Sequence, residues 1–317
     1  MTPDTRANRF TWVTLAGIAY ADSGKIGREL EKHERSIGAW RLTWLAESHD
    51  GANLAYVAES LDTNTWAVIV RGSLINPLDK GFWTDWALED LQVLDQVPVP
   101  FGFDTPKARI AAGTNLAFEH FMSMRSQVED SEGLSLETFL LDKLVAGQDN
   151  LWFVGHSLGG AMVPLLAAWF QNIVRDRGAM DTKWITPVTF AGPTGGNPAF
   201  ARALEERFEG FPLRYVNDLD MVPHTWSPHG LRWIMNSYDP APRIPGWFRF
   251  TCKVVKFWMW FKRIRYAHAG SGIESRGKLA GKDPWFSEVE HQHSIETYLR
   301  LYEAPKPACV ENTTARQ

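Results

Sequence analysis

The chain reads as an α/β fold, with a central, mostly parallel sheet flanked by helices, and three observations predict it. The apolar run Leu151-Trp152-Phe153-Val154 leads straight into Gly155-His156-Ser157-Leu158-Gly159 and then into an apolar segment from Gly160 to Phe170, a strand turning sharply into a helix. Two more apolar runs, Trp66 to Val70 and Leu213 to Val216, end in polar loops, as buried strands of open α/β sheets do. The 317 residues carry no Ser/Gly/Pro-rich linker, so a single domain over 1–317 is expected.

The amino terminus allows two readings. Arg6 and Arg9 precede Phe10 to Ile18, and Ala19-Tyr20-Ala21 has the small-x-small look of a cleavage site, so a signal segment is one reading. Thr11 and Thr14 interrupt the apolar run, and a first amphipathic helix covering the core is the other.

The strand from Trp66 to Val70 is followed by Arg71-Gly72-Ser73, and a loop there can aim donors at a developing oxyanion. Ser73 offers both its N–H and its hydroxyl.

Glycines two positions either side of Ser157 remove side chains that would collide in so sharp a turn, and the serine oxygen is pushed out at the strand's carboxyl end. It also sits at a helix amino terminus, where free N–H groups favour negative charge, the N–H of Leu158 among them. Pro164 falls inside that helix and predicts a kink.

A serine needs a base to take its proton and an acid to orient that base. Asp218 and Asp220 follow the strand that ends at Val216, and spacing alone does not choose between them. Of nine histidines, His33, His49 and His120 precede the serine, and His156 adjoins it and points elsewhere. His291 and His293 precede a closing helix that runs to Leu301, which makes them the candidate bases.

Composition excludes little. A net charge of -4, with no basic patch typical of nucleic-acid binding, gives no reason to expect a nucleic-acid partner. Two cysteines build neither a disulfide framework nor a metal site, and no apolar run reaches the length of a membrane span. Fifteen tryptophans point to a wide apolar pocket, an interfacial surface or an aromatic core.

From about residue 55 onward the chain resembles the class 3 lipases, the fungal-type triacylglycerol lipases of the α/β-hydrolase superfamily. Val70-Arg71-Gly72-Ser73 is similar to the family's oxyanion loop, and Trp83-Thr84-Asp85-Trp86 to its lid segment and following strand. Phe190 to Phe200 resembles the Gly-Pro-x-x-Gly-Asn-x-x-Phe stretch, and Val216 to Pro223 resembles Val-Asn-x-x-Asp-x-Val-Pro. The resemblance selects Asp220 as triad acid and His293, followed by Ser294 and Tyr298, as base.

The resemblance implies a serine carboxylester hydrolase that cleaves acylglycerol esters through an acyl-enzyme, without metal or organic cofactor, on a lipid or small ester substrate. Phospholipase A1, feruloyl-type or soluble-ester activity, a thioesterase or peptidase using the same triad, and a non-catalytic lipase-like binding protein are the alternatives. It implies a lid at 74–93, with Trp83 and Trp86 as substrate contacts, and an insertion at 229–266. Tyr266 to Gly270 resembles a strand that in the family follows the acid much sooner. Secreted fungal members carry disulfides and a clear signal peptide, so cytoplasmic and secreted locations both stay open.

Within the insertion, Phe250, Val254, Phe257, Phe261 and Ile264 recur at helical spacing, with Arg249, Lys253, Lys256 and Arg263 on another face and no acid from Trp247 to Tyr266. An amphipathic helix over 247–266 that lies peripherally on an anionic lipid surface is one expectation. A helix packed on the body of the enzyme with its lysines in water is the other.

Overall fold

Five parallel strands carry the site: β3 (Thr65–Val70), β6 (Asn150–His156), β7 (Ile185–Phe190), β8 (Leu213–Asn217) and β9 (Gly272–Ser275). Two antiparallel neighbours, β1 (Trp40–Glu47) and β2 (Leu54–Ser60), extend the sheet, whose order is β1-β2-β3-β6-β7-β8-β9. A small second ladder pairs β4 (Gln96–Pro98) with β5 (Arg109–Ala111). This computed structural model describes residues 6–49, 51–72, 92–144, 149–179, 181–209 and 213–304. The architecture is the α/β-hydrolase fold, as the sequence predicts.

Helices cover both faces because the inner strands are apolar on both. On one face α3 (Ala112–Ser123), α4 (Leu136–Lys143) and α5 (Leu158–Asp176) pack over Leu151, Phe153 and Val68. On the other, α1 (Arg6–Ile18), α2 (Ile26–Ile37) and α10 (Ile295–Leu301) pack over Val154, Ile69 and Val188. Along β6, Phe153 and Val154 therefore serve opposite layers, as the two-residue side-chain period requires. α5 is nearly all interior and continues through Pro164 as one helix.

The amino-terminal segment forms α1 and packs on the sheet. Trp12, Val13, Leu15, Ala16, Ile18, Ala19 and Ala21 are buried in the α1–α2–α10 layer, and the Tyr56 hydroxyl donates to the carbonyl of Leu15.

A third apolar cluster lies among α7 (Pro228–Ile234), α8 (Gly246–Phe261) and α9 (Trp285–His293), with Val93, Ala111, Met221 and Val222 joining it. α6 (Pro198–Arg207), capped by Asn197, connects β7 to β8. Two expectations need correction here. The strand resembling the family's does not lie at Tyr266 to Gly270: Tyr266 is held by its hydroxyl to Val93 O and His268 by its ring to Pro223 O, and the chain turns at Gly270 before entering β9 at Gly272. Only Ala267 makes a β-bridge, to Gly196. The second correction concerns only the length of α8, which ends at Phe261 and not at 266; it packs through Phe248, Cys252, Val255 and Met259. The stripe read as its apolar face, Phe250, Val254, Phe257 and Phe261, faces solvent. The helix has two apolar stripes, and the body of the enzyme takes the other one.

Candidate active site

β6 ends where β3 ends, with Val70 opposite Gly155, so the loop after β3 runs beside the turn into α5. Ser157 occupies that turn at φ 58° and ψ -126°, a conformation costly for a residue with a side chain and held by packing on all sides. A Cβ at Gly155 would strike the backbone of Gly159, and one at Gly159 would strike the carbonyl of Val70. Both positions therefore require glycine, and the serine is fixed by backbone close approach.

The Ser157 hydroxyl lies 2.8 Å from Nε2 of His293. Nδ1 of His293 lies 2.9 Å and 3.1 Å from the two carboxylate oxygens of Asp220. The two choices that spacing leaves open, Asp218 or Asp220 and His291 or His293, differ in their partners. Asp218 accepts the N–H of Gly277, and the carbonyl of His291 accepts the hydroxyls of Ser294 and Thr297. His293 is the last residue of α9, not a loop residue as the sequence suggests, and Ser294 caps the next helix through Thr297 N–H.

Asp220 is fully buried, and three donors converge on it: His293, the N–H of Val222 at 2.9 Å and the hydroxyl of Tyr298 at 2.8 Å. Such a set gives a buried carboxylate the hydrogen-bond partners that burial demands. Tyr298 in turn accepts the N–H of Asn217, and burial pushes its phenol well above the usual range, so it stays a donor. Asn217 donates to both the carbonyl and the side chain of Gln292, the residue before His293. Gln292 donates onward to Glu288, itself fully buried and accepting the N–H groups of Ala280 and Lys282. The end of α9, and with it His293, is tied to the strand that delivers the acid.

Sequence reading missed a second support. His156 is buried beneath His293, with Nε2 3.0 Å from the His293 carbonyl and Nδ1 2.7 Å from the Tyr20 hydroxyl. Burial, with the nearby His293 adding to it, lowers its pKa well below the ordinary value and keeps it neutral. A carbonyl only accepts, so the one proton sits on Nε2 and Tyr20 donates to Nδ1. No local pattern announces a contact across 136 residues.

The N–H of Leu158 belongs to the first turn of α5, where backbone donors have no acceptor inside the helix. Ser73, Trp83, Trp86 and most of the 74–93 lid segment lie outside the described residues. Arg71 and Gly72, just before Ser73, are described. The guanidinium of Arg71 is buried and binds Gly51 O and Glu47, which anchors the base of that loop.

Residues 91–229 match the family model Lipase (class 3). The matched stretch, under half of the chain, spans the Ser157 elbow and Asp220. That match supports a lipase-type ester hydrolase of the serine kind. Among solved structures it is similar to M37 lipase, at 18% identity and a TM-score of 0.80 over 98% of each chain. A lipase from Rhizopus microsporus var. chinensis matches at 17% identity and 0.58, covering 96% of this chain and 89% of that one. A triacylglycerol lipase described as having a serine protease triad at its catalytic centre matches at 17% and 0.58 over 95% of each chain. At these identities the likeness carries the fold. No curated protein matches the chain.

Proposed function

We propose that the chain is a class 3 lipase that cleaves acylglycerol esters with Ser157 as nucleophile, His293 as base and Asp220 as the acid that orients it. The hydrogen-bonded series Ser157, His293, Asp220 carries the reading. Ser157 attacks the ester carbonyl while His293 takes its proton. Asp220 keeps the Nδ1 proton facing it and stabilises the imidazolium that forms. His293 then passes the proton to the departing alcohol, leaving an acyl-enzyme, and water releases the fatty acid by the same path. Leu158 N–H and Ser73 donate to the oxyanion, each such donor supplying about 3 kcal/mol of transition-state stabilisation. The triacylglycerol lipase described as carrying a serine protease triad supports this assignment by analogy.

In the same proposal the chain is one domain over 1–317, the 74–93 segment is a lid whose Trp83 and Trp86 meet substrate, and 229–266 is an insertion whose helical part, within 247–266, contacts the lipid interface. No helix of the described residues is long and apolar enough to cross a membrane.

The test is an acyl-chain-length profile on triglycerides and phospholipids with the wild-type and Ser157→Ala proteins. Wild-type turnover of triglycerides that Ser157→Ala lacks is the expected result. Equal rates for the two proteins would overturn the assignment, and a preference for phospholipid would move the substrate class to a phospholipase.

A further inference from the structure

Of the ten large hydrophobic side chains exposed among the described residues, seven lie on α8. Phe250, Phe257, Trp260 and Phe261 are each more than half exposed, and Phe257 touches the rings of Trp258, Trp260 and Phe261. Exposed rings in one contiguous patch mark a contact surface, whereas scattered ones do not.

Steps of about 100° per residue divide α8 into three faces. Phe248, Cys252, Val255 and Met259 pack inward, and Phe250, Val254, Phe257 and Phe261 point the opposite way. Arg249, Lys253 and Lys256 run along one flank between them. From Pro240 to Ile273 the chain has no acid and seven Lys or Arg, although the whole protein is at -4. Rings with a basic flank fit a surface that is apolar within and anionic at its boundary. A second copy of this chain fits less well, since it would set one basic flank against another.

A groove of about 1020 Å³ runs between α7 and the end of α8. Leu231, Met259 and Ile264 line it with apolar atoms, and Lys256, Arg263 and Arg265 bring positive charge to it. Arg263 stands in the left-handed region at φ 57°, where Arg263 N–H bonds Trp260 O and Ile264 N–H bonds Met259 O. That is the helix-ending position at which glycine is the relaxed choice, and here it holds an arginine beside the groove.

We propose that α8 docks the enzyme on a bilayer carrying anionic phospholipid, with its rings in the acyl boundary and a lipid phosphate seated in the groove between α7 and α8. The inference deepens the lipase reading and rests on it only for the purpose of the contact.

Vesicle co-sedimentation tests it, using the Ser157→Ala protein so that no lipid is consumed. The vesicles are phosphatidylcholine alone or mixed with phosphatidylglycerol, at low and high salt. Binding to the mixed vesicles that salt weakens is expected, since each basic group near an anionic surface strengthens binding about fivefold. Lys253→Gln/Lys256→Gln should therefore lose about twenty-five-fold. Phe250→Ser/Phe257→Ser/Phe261→Ser should lose binding while its circular dichroism and melting stay those of a folded protein. Arg263→Gly should bind about fivefold more weakly and melt higher, a pair of opposite signs that a purely structural arginine would not give.

Equal recovery on neutral and mixed vesicles would overturn the proposal, as would unchanged binding by the ring variant. Self-association of the parent that the ring variant abolishes, without vesicle binding, would replace the bilayer by a second copy. If Ser157→Ala docks while wild type cleaves no ester, the docking stands and the lipase reading falls; active wild type without docking reverses that.

Discussion

The imidazole of His156 lies beneath that of His293, ring centroids 5.1 Å apart, and donates its Nε2–H to the His293 carbonyl at 3.0 Å. The residue before the nucleophile thus positions the backbone of the base. Tyr20, from the turn after α1, completes the support from the far end of the chain.

Replacing His156 by Leu removes one hydrogen bond from each of two partly buried groups, the His293 carbonyl and the Tyr20 hydroxyl. Each lost buried hydrogen bond costs about 1–3 kcal/mol, so the variant should unfold at lower denaturant and turn over more slowly. Urea unfolding and kcat on a soluble ester check both. Wild-type values for both would remove His156 from any positioning role.

Asp220→Asn should lower kcat about a thousandfold or more while KM changes little, because an amide can present its NH2 to Nδ1 and favour the wrong imidazole tautomer. Steady-state kinetics decide it. Asp218→Asn, one turn of loop away and bonded to Gly277, should cost far less.

Tyr298→Phe removes the hydroxyl that donates to Asp220 and accepts Asn217 N–H. A loss of about 1–3 kcal/mol in stability and a reduced kcat are expected together. Thermal melting and kinetics on the same preparation will show whether the two effects coincide.

Stability should fall as the solution is acidified. Burial, reinforced by Arg214, pushes His268 down to about 3, and burial holds His156 well below its ordinary value. Between the ordinary histidine value of about 6.5 and those lowered ones, the unfolded chain binds protons that the folded chain refuses. Each such group makes stability rise with pH through that window by up to about 1.4 kcal/mol per pH unit, flattening above it. Unfolding free energies between about pH 7 and pH 5 should show this slope, and His268→Gln should make it shallower.

Gly159→Ala sets a methyl group against the Val70 carbonyl, in a turn where Ser157 already sits at positive φ. Overpacking of this kind costs about 1–3 kcal/mol, and the displaced elbow should lose activity beyond that. Melting temperature and ester turnover read the two separately.

How much was legible in the sequence follows from the range of each interaction. The strand–serine–helix turn is local, and its glycines spell it out. Asp220 and His293 follow from their order along the chain and the family resemblance, although spacing alone left Asp218 and His291 standing beside them. Tyr20, His156, Asn217 and Gln292 were not legible as a support, because their contacts join segments far apart in sequence, and the motifs that hold His156 and Asn217 do not say what those side chains will meet. α8 shows another limit: a helix with two apolar stripes does not say which one the fold will bury. Here it is the Phe248–Met259 stripe, because α7 and α9 supply the apolar surface that receives it.

Gly72 is buried where a Cβ would meet the Tyr20 hydroxyl, the His156 carbonyl at 2.8 Å and the Ser157 Cβ at 2.9 Å. One residue without a side chain is the washer between the chain's first helical turn-off and its reactive serine. Trimming the protein back past Tyr20 would therefore strike turnover as directly as it strikes folding.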